Sequence, residues 1–254
     1  MDLALSGKVA VVCGASRGIG RATASALAQE GCRLVLAARG TGPLDALAEE
    51  LSRSGVEVEA VGVDLTSEAG PQTLIGRALA RFGGVDVLVN LVGGSSGGSF
   101  EANTLADFEQ GFARNFWPAL KASKAALEAL IRSRGAVIHV GSIWGREAGG
   151  PVAYNVAKAA LVSLTKAMGQ DLAPHGVRCV GVLPGSILHP GGSWDRRLKA
   201  DPEGVTRWMK QEIPAGRFGT AEEVAHVIAF LASERASWIT GSVVVVDGGQ
   251  SRMF

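Results

Sequence analysis

The chain contains a single tyrosine, Tyr154, and only three cysteines, Cys13, Cys32 and Cys179. An odd number of thiols, each in or beside an apolar strand-like run, argues against a disulfide framework and favours a reduced, cytoplasmic protein with buried thiols. Neither sign of charge is in excess: 25 Lys and Arg stand against 24 Asp and Glu. Without a basic stripe or a run of like charges there is no electrostatic footprint for nucleic acid or an anionic membrane, and neither partner is expected. No apolar run reaches the roughly 18 residues of a membrane span. The start, Met1-Asp2-Leu3-Ala4-Leu5-Ser6-Gly7-Lys8, lacks the basic region and apolar core of a signal peptide. The four histidines, His139, His175, His189 and His226, show no metal-ligand spacing, so no metal site is expected. What remains is 254 residues, 47% of them hydrophobic. That is enough for one large core, and the whole chain reads as a single domain.

Short β-branched runs alternate with helical stretches. Lys8–Cys13 reads as a buried strand that breaks into Gly14-Ala15-Ser16-Arg17-Gly18-Ile19-Gly20, and a helix follows from about Arg21. Further strands are expected at 33–38, 56–63, 85–90, 136–140, 177–183 and 243–246. Helices are expected at 44–52, 68–82, 105–131 as one long element, from about Tyr154 to Leu172, and at 221–233. Strands alternating with helices imply parallel strands joined by right-handed crossovers, hence an α/β doubly wound sheet of seven mostly parallel strands with helices on both faces. Such sheets bind ligands beyond the carboxyl ends of their strands. The glycine turn, Asp64, Asn90, the Gly/Ser loop 93–98, Ser142 and Pro184-Gly185 all fall at such ends.

The chemistry-bearing stretch is Tyr154-Asn155-Val156-Ala157-Lys158. On a helix, residues four apart share a face, so Tyr154 and Lys158 point the same way. A free phenol titrates near ~10 and exchanges protons poorly at neutrality. A neighbouring ammonium favours phenolate and would bring it into range. The alternative is a half-buried tyrosine beside a snorkelling lysine. Strand, glycine turn and helix together can hold a pyrophosphate on free backbone N–H groups, although a tight packing turn would look the same. Ser142, twelve residues before Tyr154, is either a hydroxyl for a substrate oxygen or a turn residue. Asn115 lies three residues before Pro118, where a kink would free carbonyls for water; an ordinary polar residue in a bent helix is the other reading.

Taken together, these residues resemble the short-chain dehydrogenase/reductase family. The resemblance runs from Lys8 to Gly249. It rests on the glycine turn, Asp64-Leu65, Asn115, Ser142, the Tyr154–Lys158 pentapeptide and Pro184-Gly185. The tail, from Arg217-Phe218-Gly219 through Ile239-Thr240-Gly241 to Val246-Asp247-Gly248-Gly249, is similar to the 3-oxoacyl-carrier-protein-reductase branch. The resemblance implies a Rossmann fold and the interconversion of a ketone and a secondary alcohol. Tyr154 would be acid and base, and Lys158 would tune it and hold the nicotinamide ribose. Ser142 would orient the substrate oxygen, and Asn115 would anchor a water in a proton relay. Cofactor contacts are implied for Gly14, Ser16, Arg17, Gly18, Ile19, Gly20, Arg39, Asp64, Leu65, Asn90, Gly93, Tyr154, Lys158, Pro184, Gly185 and Ile187. The partners implied are a small carbonyl or alcohol substrate and, in a homotetramer, further copies of the chain. That assembly would be built on the long helix, the Tyr154 helix and the last strand, with the alanine face from Ala119 to Leu130 allowing close packing.

Three positions depart from the family pattern: Asn90-Leu91-Val92-Gly93 replaces Asn-Asn-Ala-Gly, His189 replaces a threonine, and the loop from Gly93 carries four glycines. Segment 186–212, with Pro190, Gly191-Gly192 and Pro202, is expected to be a mobile cover over the pocket. Its substrate stays open between an acyl thioester and a cyclic or aromatic ketone. A non-catalytic dinucleotide sensor or scaffold is the competing function, and retention of Asn115, Ser142, Tyr154 and Lys158 speaks against it. The second strand ends Ala38-Arg39-Gly40 with no carboxylate to meet a ribose 2′-hydroxyl. Arg39, with Arg17 as a second cation, favours NADP(H), with NAD(H) as the alternative. Arg39 as a solvated loop residue is the plain reading.

Overall fold

The computed structural model describes residues 1–95 and 97–253 of the chain; Ser96, inside the expected glycine-rich loop, and Phe254 lie outside the described residues. Seven strands form one sheet: β1 Val9–Cys13, β2 Arg33–Ala38, β3 Val58–Gly62, β4 Val87–Asn90, β5 Ala136–Val140, β6 Arg178–Pro184 and β7 Val243–Val246. Their order is β3-β2-β1-β4-β5-β6-β7, and every neighbouring pair is parallel. The chain winds outward from β1 to β3, then returns to lay β4 on the other side of β1. That reversal opens a crevice above the carboxyl ends of β1 and β4.

Alternation along each strand divides the core. Ala10, Val12, Leu34, Leu36, Ile138 and Val180 face one layer, with α1 (Gly18–Gln29), α2 (Gly42–Arg53) and α9 (Ala221–Ala232) packed over them. Val11, Val35, Leu88, Val137 and Cys179 face the other, under α3 (Gly70–Phe82) and α5 (Trp117–Ser133). Strands covered on both faces read as continuous apolar runs, which is why β1 is buried at all five positions. Among the described residues no helix is long and apolar enough to cross a membrane.

Three expectations change. The single helix expected over 105–131 is two: α4 (Leu105–Asn115) and α5, divided at Phe116. Pro118 has no N–H for the preceding turn and its ring crowds the carbonyl four residues back. It sits instead in the first turn of α5, where proline costs nothing. The alanine face at Ala119, Ala122, Ala126 and Ala129 is buried within this chain against the sheet, so it is not a free surface for a second copy. Segment 186–212 is mostly helical. Asp201 caps α8 (Pro202–Glu212) by accepting from the Gly204 N–H, and α7 (Ser193–Ala200) precedes it. This pair carries its own apolar cluster of Val205, Ile213 and Phe218, with Trp194 stacked on Trp208 at 4.2 Å between ring centroids.

The sixth helix, α6 (Val152–Leu172), runs beside α4 in unusually close contact. A Cβ added to Gly111 on α4 would lie 2.9 Å from the Ala153 carbonyl oxygen on α6. That backbone oxygen has nowhere to go, so Gly111→Val should cost about 1–3 kcal/mol by overpacking. Urea denaturation of the variant measures it, and an unchanged midpoint would show that the helices separate freely.

Candidate active site

The glycine turn joins β1 to α1. Gly14 has φ of 92°, the left-handed region where a side chain is strained. A Cβ on Gly20 would fall 2.1 Å from the Gly14 carbonyl oxygen. Arg17, the residue before α1, makes no side-chain cap, so the first N–H groups of the helix, those of Gly18, Ile19 and Gly20, stay open toward the crevice. Ser16 and Ala15 complete the turn. Arg17 Nη1 donates to the Gly191 carbonyl at 3.3 Å, on the segment leading to α7. The His189 ring lies over the turn, 2.8 Å from where a Gly18 Cβ would stand.

Arg39 is exposed at the end of β2 and faces Asp64, whose carboxyl lies below its usual range. Hydrogen bonds from the Thr66 N–H and hydroxyl hold Asp64 down first, and the Arg39 cation adds to them. Leu65 is buried beside it. At the end of β6, Gly185 donates to the Val246 carbonyl at 3.0 Å. Beyond Pro184-Gly185, Ile187 forms a parallel bridge with Gly219 through its neighbours: Leu188 N donates to Gly219 O and Gly219 N donates to Ser186 O. The N–H and C=O of Ile187 itself therefore point away from that bridge, without partners among the described residues.

Asn90 does not offer its carboxamide to the crevice. The side chain is buried and turned to α5, where Nδ2 donates to Ser123 Oγ at 3.3 Å and Oδ1 has no partner. Ser123 continues to His139 Nε2 at 3.3 Å, and His139 Nδ1 meets Thr165 Oγ1 at 3.0 Å. This polar chain through the core was not anticipated; a lone histidine in the apolar run 136–140 was its only sign. Burial, with help from the Lys158 cation, pushes His139 down to about 3, so the imidazole stays neutral.

Asn115, Ser142, Tyr154 and Lys158 come together at the carboxyl ends of β4 and β5. Asn115 is fully buried at the break between α4 and α5. Its Oδ1 accepts from Gly94 N at 2.9 Å, and Nδ2 donates to Gly111 O at 3.0 Å and Gly94 O at 3.2 Å. A Cβ on Gly93 would meet Asn115 Oδ1 at 2.7 Å and Lys158 Nζ at 3.2 Å, so glycine there lets the two groups share one space. Lys158 Nζ donates to the Val140 carbonyl at 3.0 Å. Ser142 caps a single 3-10 turn, Ile143–Gly145, accepting from Trp144 N at 3.2 Å, and its hydroxyl lies near enough to the Tyr154 phenol to influence it. The turn-residue reading of Ser142 is thus seen directly.

The titration of the pair differs from expectation. Burial pushes the Tyr154 phenol above its ordinary value, and the nearby Ser142 hydroxyl is the opposing influence. Lys158 is not aimed at the phenol oxygen: its Nζ is bonded to Val140 and lies 5.7 Å from the ring centroid. Burial lowers Lys158 itself to about 8. Asn155, passed over as filler within the pentapeptide, donates from Nδ2 to Trp144 O at 2.7 Å and Glu147 O at 2.8 Å. It ties the Ser142 loop to the helix that carries Tyr154.

An ammonium whose pKa falls from 10.5 to about 8 on folding has a definite signature. Between those values the unfolded chain holds a proton that the folded chain has lost, so folding becomes more favourable as pH rises through the window. Compared with Lys158→Met, the wild type should gain stability from pH 8 to 10.5 and show a constant gap below 8. Parallel denaturation curves across that range for the two proteins would mean that the ammonium is solvated.

A family model described as "Enoyl-(Acyl carrier protein) reductase" matches residues 14–251. A 3-oxoacyl-[acyl-carrier-protein] reductase, FabG, from Aquifex aeolicus is 34% identical over 98% of this chain and 99% of its own length. L-sorbose reductase from Gluconobacter frateurii, solved with NADPH and L-sorbose, superposes with a TM-score of 0.94 at 32% identity, with all of both chains covered. A 7α-hydroxysteroid dehydrogenase solved with NADH and 7-oxo glycochenodeoxycholic acid gives a TM-score of 0.91 at 28% identity, covering 99% of this chain and 97% of that one. The strand order, the crevice above β1 and β4 and these full-length similarities agree: the chain belongs to the short-chain dehydrogenase/reductase family of oxidoreductases.

Proposed function

We propose that this protein is an NADP(H)-dependent oxidoreductase that reduces a ketone to a secondary alcohol, or runs the reverse, with Tyr154 as proton donor and acceptor. The observation that carries the reading is the convergence of Ser142, Tyr154, Asn115 and a buried Lys158 at the mouth of the crevice that holds the glycine turn. The residues present fit a nicotinamide dinucleotide. The open N–H groups of α1 suit a pyrophosphate, and the unpartnered N–H and C=O of Ile187 suit a carboxamide. When bound, that group supplies or accepts the hydride.

The remaining work falls to the chain. Ser142 Oγ and the Tyr154 hydroxyl converge on one substrate oxygen and orient it. Tyr154 gives that oxygen its proton during reduction and takes it back during oxidation. Its phenol, raised by burial, is held protonated and suited to donation until a nearby positive charge lowers it. Lys158 supplies such a charge across the shared face of α6. Asn115, bonded to both sides of Gly94, fixes the loop over which a water can pass protons to Lys158.

Relatives with acyl-carrier, sugar and steroid substrates share this scaffold, so substrate choice rests with segment 186–212 and not with the four residues. A 3-oxoacyl thioester is one candidate class, and cyclic or aromatic ketones are the others. NADP(H) is favoured over NAD(H) because exposed Arg39 stands where an acid would repel a 2′-phosphate, and no carboxylate ends β2. A homotetramer belongs to the same reading, and the half-exposed Trp117 and Val156 on α5 and α6 offer it apolar surface.

NADPH oxidation over a panel of 3-oxoacyl thioesters, cyclic ketones and aryl ketones tests the activity. Tyr154→Phe should abolish turnover while leaving the dinucleotide Kd, read by fluorescence, near the wild-type value; wild-type-like turnover would overturn the mechanism. Arg39→Ala should cost roughly ten- to a hundredfold in the NADPH-over-NADH ratio of kcat/KM, the worth of a charge-assisted bond to phosphate. An unaltered ratio would show that Arg39 is a solvated loop residue.

A further inference from the structure

The chain does not end at β7. Two left-handed glycines, Gly248 at φ 64° and Gly249 at φ 82°, turn it back toward the carboxyl end of β6. Asp247 pins that turn by accepting from Gly249 N at 2.9 Å and Ser251 N at 2.6 Å. Gln250 is buried, and its Oε1 accepts from Ser186 N at 2.8 Å, at the start of the segment that covers the pocket. Arg252 places Nη2 3.7 Å from Glu212 Oε2, at the far end of α8. The strap therefore touches both ends of segment 186–212.

Its third contact lies on the catalytic side. The N–H groups of Arg252 and Met253 donate to one carboxylate oxygen, Glu147 Oε2, at 2.8 and 3.2 Å. Glu147 stands on the loop between Ser142 and Tyr154. Its N–H donates to Ile143 O at 3.2 Å, and its carbonyl accepts from Asn155, the neighbour of Tyr154. One residue thus joins the strap, the residue after Ser142 and the residue after Tyr154. A carboxylate that accepts two backbone N–H groups has a fixed direction, unlike a surface ion pair between two flexible side chains.

We propose that Glu147 is a positioning residue: clasped by the Arg252 and Met253 amides, it holds the 143–150 loop so that Ser142 and Tyr154 keep their mutual position, and it links that loop to the cover. The proposal rests on the reading of Ser142 and Tyr154 as the acid–base pair. In this role Glu147 acts through Asn155 and the Ile143 backbone and not on the reacting atoms. Arg252 carries the coupling to the cover through Glu212.

The test is a double-mutant cycle between Glu147→Ala and a chain ending at Gln250, with Glu147→Gln as the conservative control. Each change alone should lower kcat/KM about three- to tenfold, chiefly in kcat, and the combination should lower it no further. Glu147→Gln keeps an acceptor oxygen and should recover most of the loss. The NADPH Kd and the Tm should stay at wild-type values in all four proteins. Hydrogen exchange of the 143–150 amides should quicken equally in Glu147→Ala and in the shortened chain. Additive losses, a loss that follows Tm or NADPH affinity, or unchanged exchange would overturn the proposal. If the wild type reduces no carbonyl, the functional reading fails, while the exchange measurement still decides whether the strap clamps the loop.

Discussion

One buried ammonium sets the terms for this structure. Lys158 lies on α6 with little solvent contact, and a charge in that position is costly unless it is hydrogen-bonded. The Val140 carbonyl, beyond which β5 ends, supplies that bond. Everything around it is shaped to let the ammonium fit. Gly93 carries no Cβ where one would strike both Lys158 and Asn115. Gly111 lets α4 approach the backbone of α6, and its carbonyl takes the Asn115 amide. The break at Phe116 lets α4 end at Asn115 and α5 begin with Pro118 in its first turn. Each feature looks separate along the chain, and all serve the same space.

That constraint extends through the sheet. His139 is on the strand that supplies the Val140 carbonyl, and the Lys158 cation is one reason its imidazole stays neutral. A neutral ring can accept with one nitrogen and donate with the other, so His139 can link Ser123 on α5 to Thr165 on α6. Thr165 lies two turns beyond Lys158 on the same helix. The polar chain thus anchors α6 from beneath while Lys158 anchors it from above. Buried polar chains of this kind, paired here from Ser123 through His139 to Thr165, favour one arrangement of their elements over alternatives.

Much of this was legible along the chain because it is written in local pattern. A strand such as β1 is apolar throughout since helices cover both its faces, and the glycine turn is recognisable because it lies between that strand and a helix. The residues named for the site lie around one crevice for the same reason: topology brings strand ends together. What was hidden depends on where side chains point and on distant partners. Pro118 gives one signal for a kink and for a new helix, so the division of 105–131 needed the fold. Pro202 and the glycines of segment 186–212 suggested a loop, whereas Asp201 and Pro202 open a helix. Asn90 turned to Ser123 and Arg17 turned to Gly191 follow from neighbours that no spacing rule names.

On the proposed function, substrate specificity belongs to the part of the molecule least tied to this buried core. The α7–α8 pair holds itself together through Trp194, Trp208 and Phe218, with Arg197 over the Trp194 face at 4.9 Å. A unit with its own small core can change its pocket-facing side chains without disturbing the Lys158 environment. Among the described residues its joints to the body include the Ile187–Gly219 bridge, Arg17 on Gly191, the His189 ring over the glycine turn, and the strap contacts at Ser186 and Glu212. Those joints reach two functional elements directly, the glycine turn through Arg17 and His189 and the Ser142 loop through Arg252 and Glu147. Under the proposed function, a rigid acid–base centre and a separately cored cover, joined at polar points, would let one scaffold keep its chemistry while its substrates diverge.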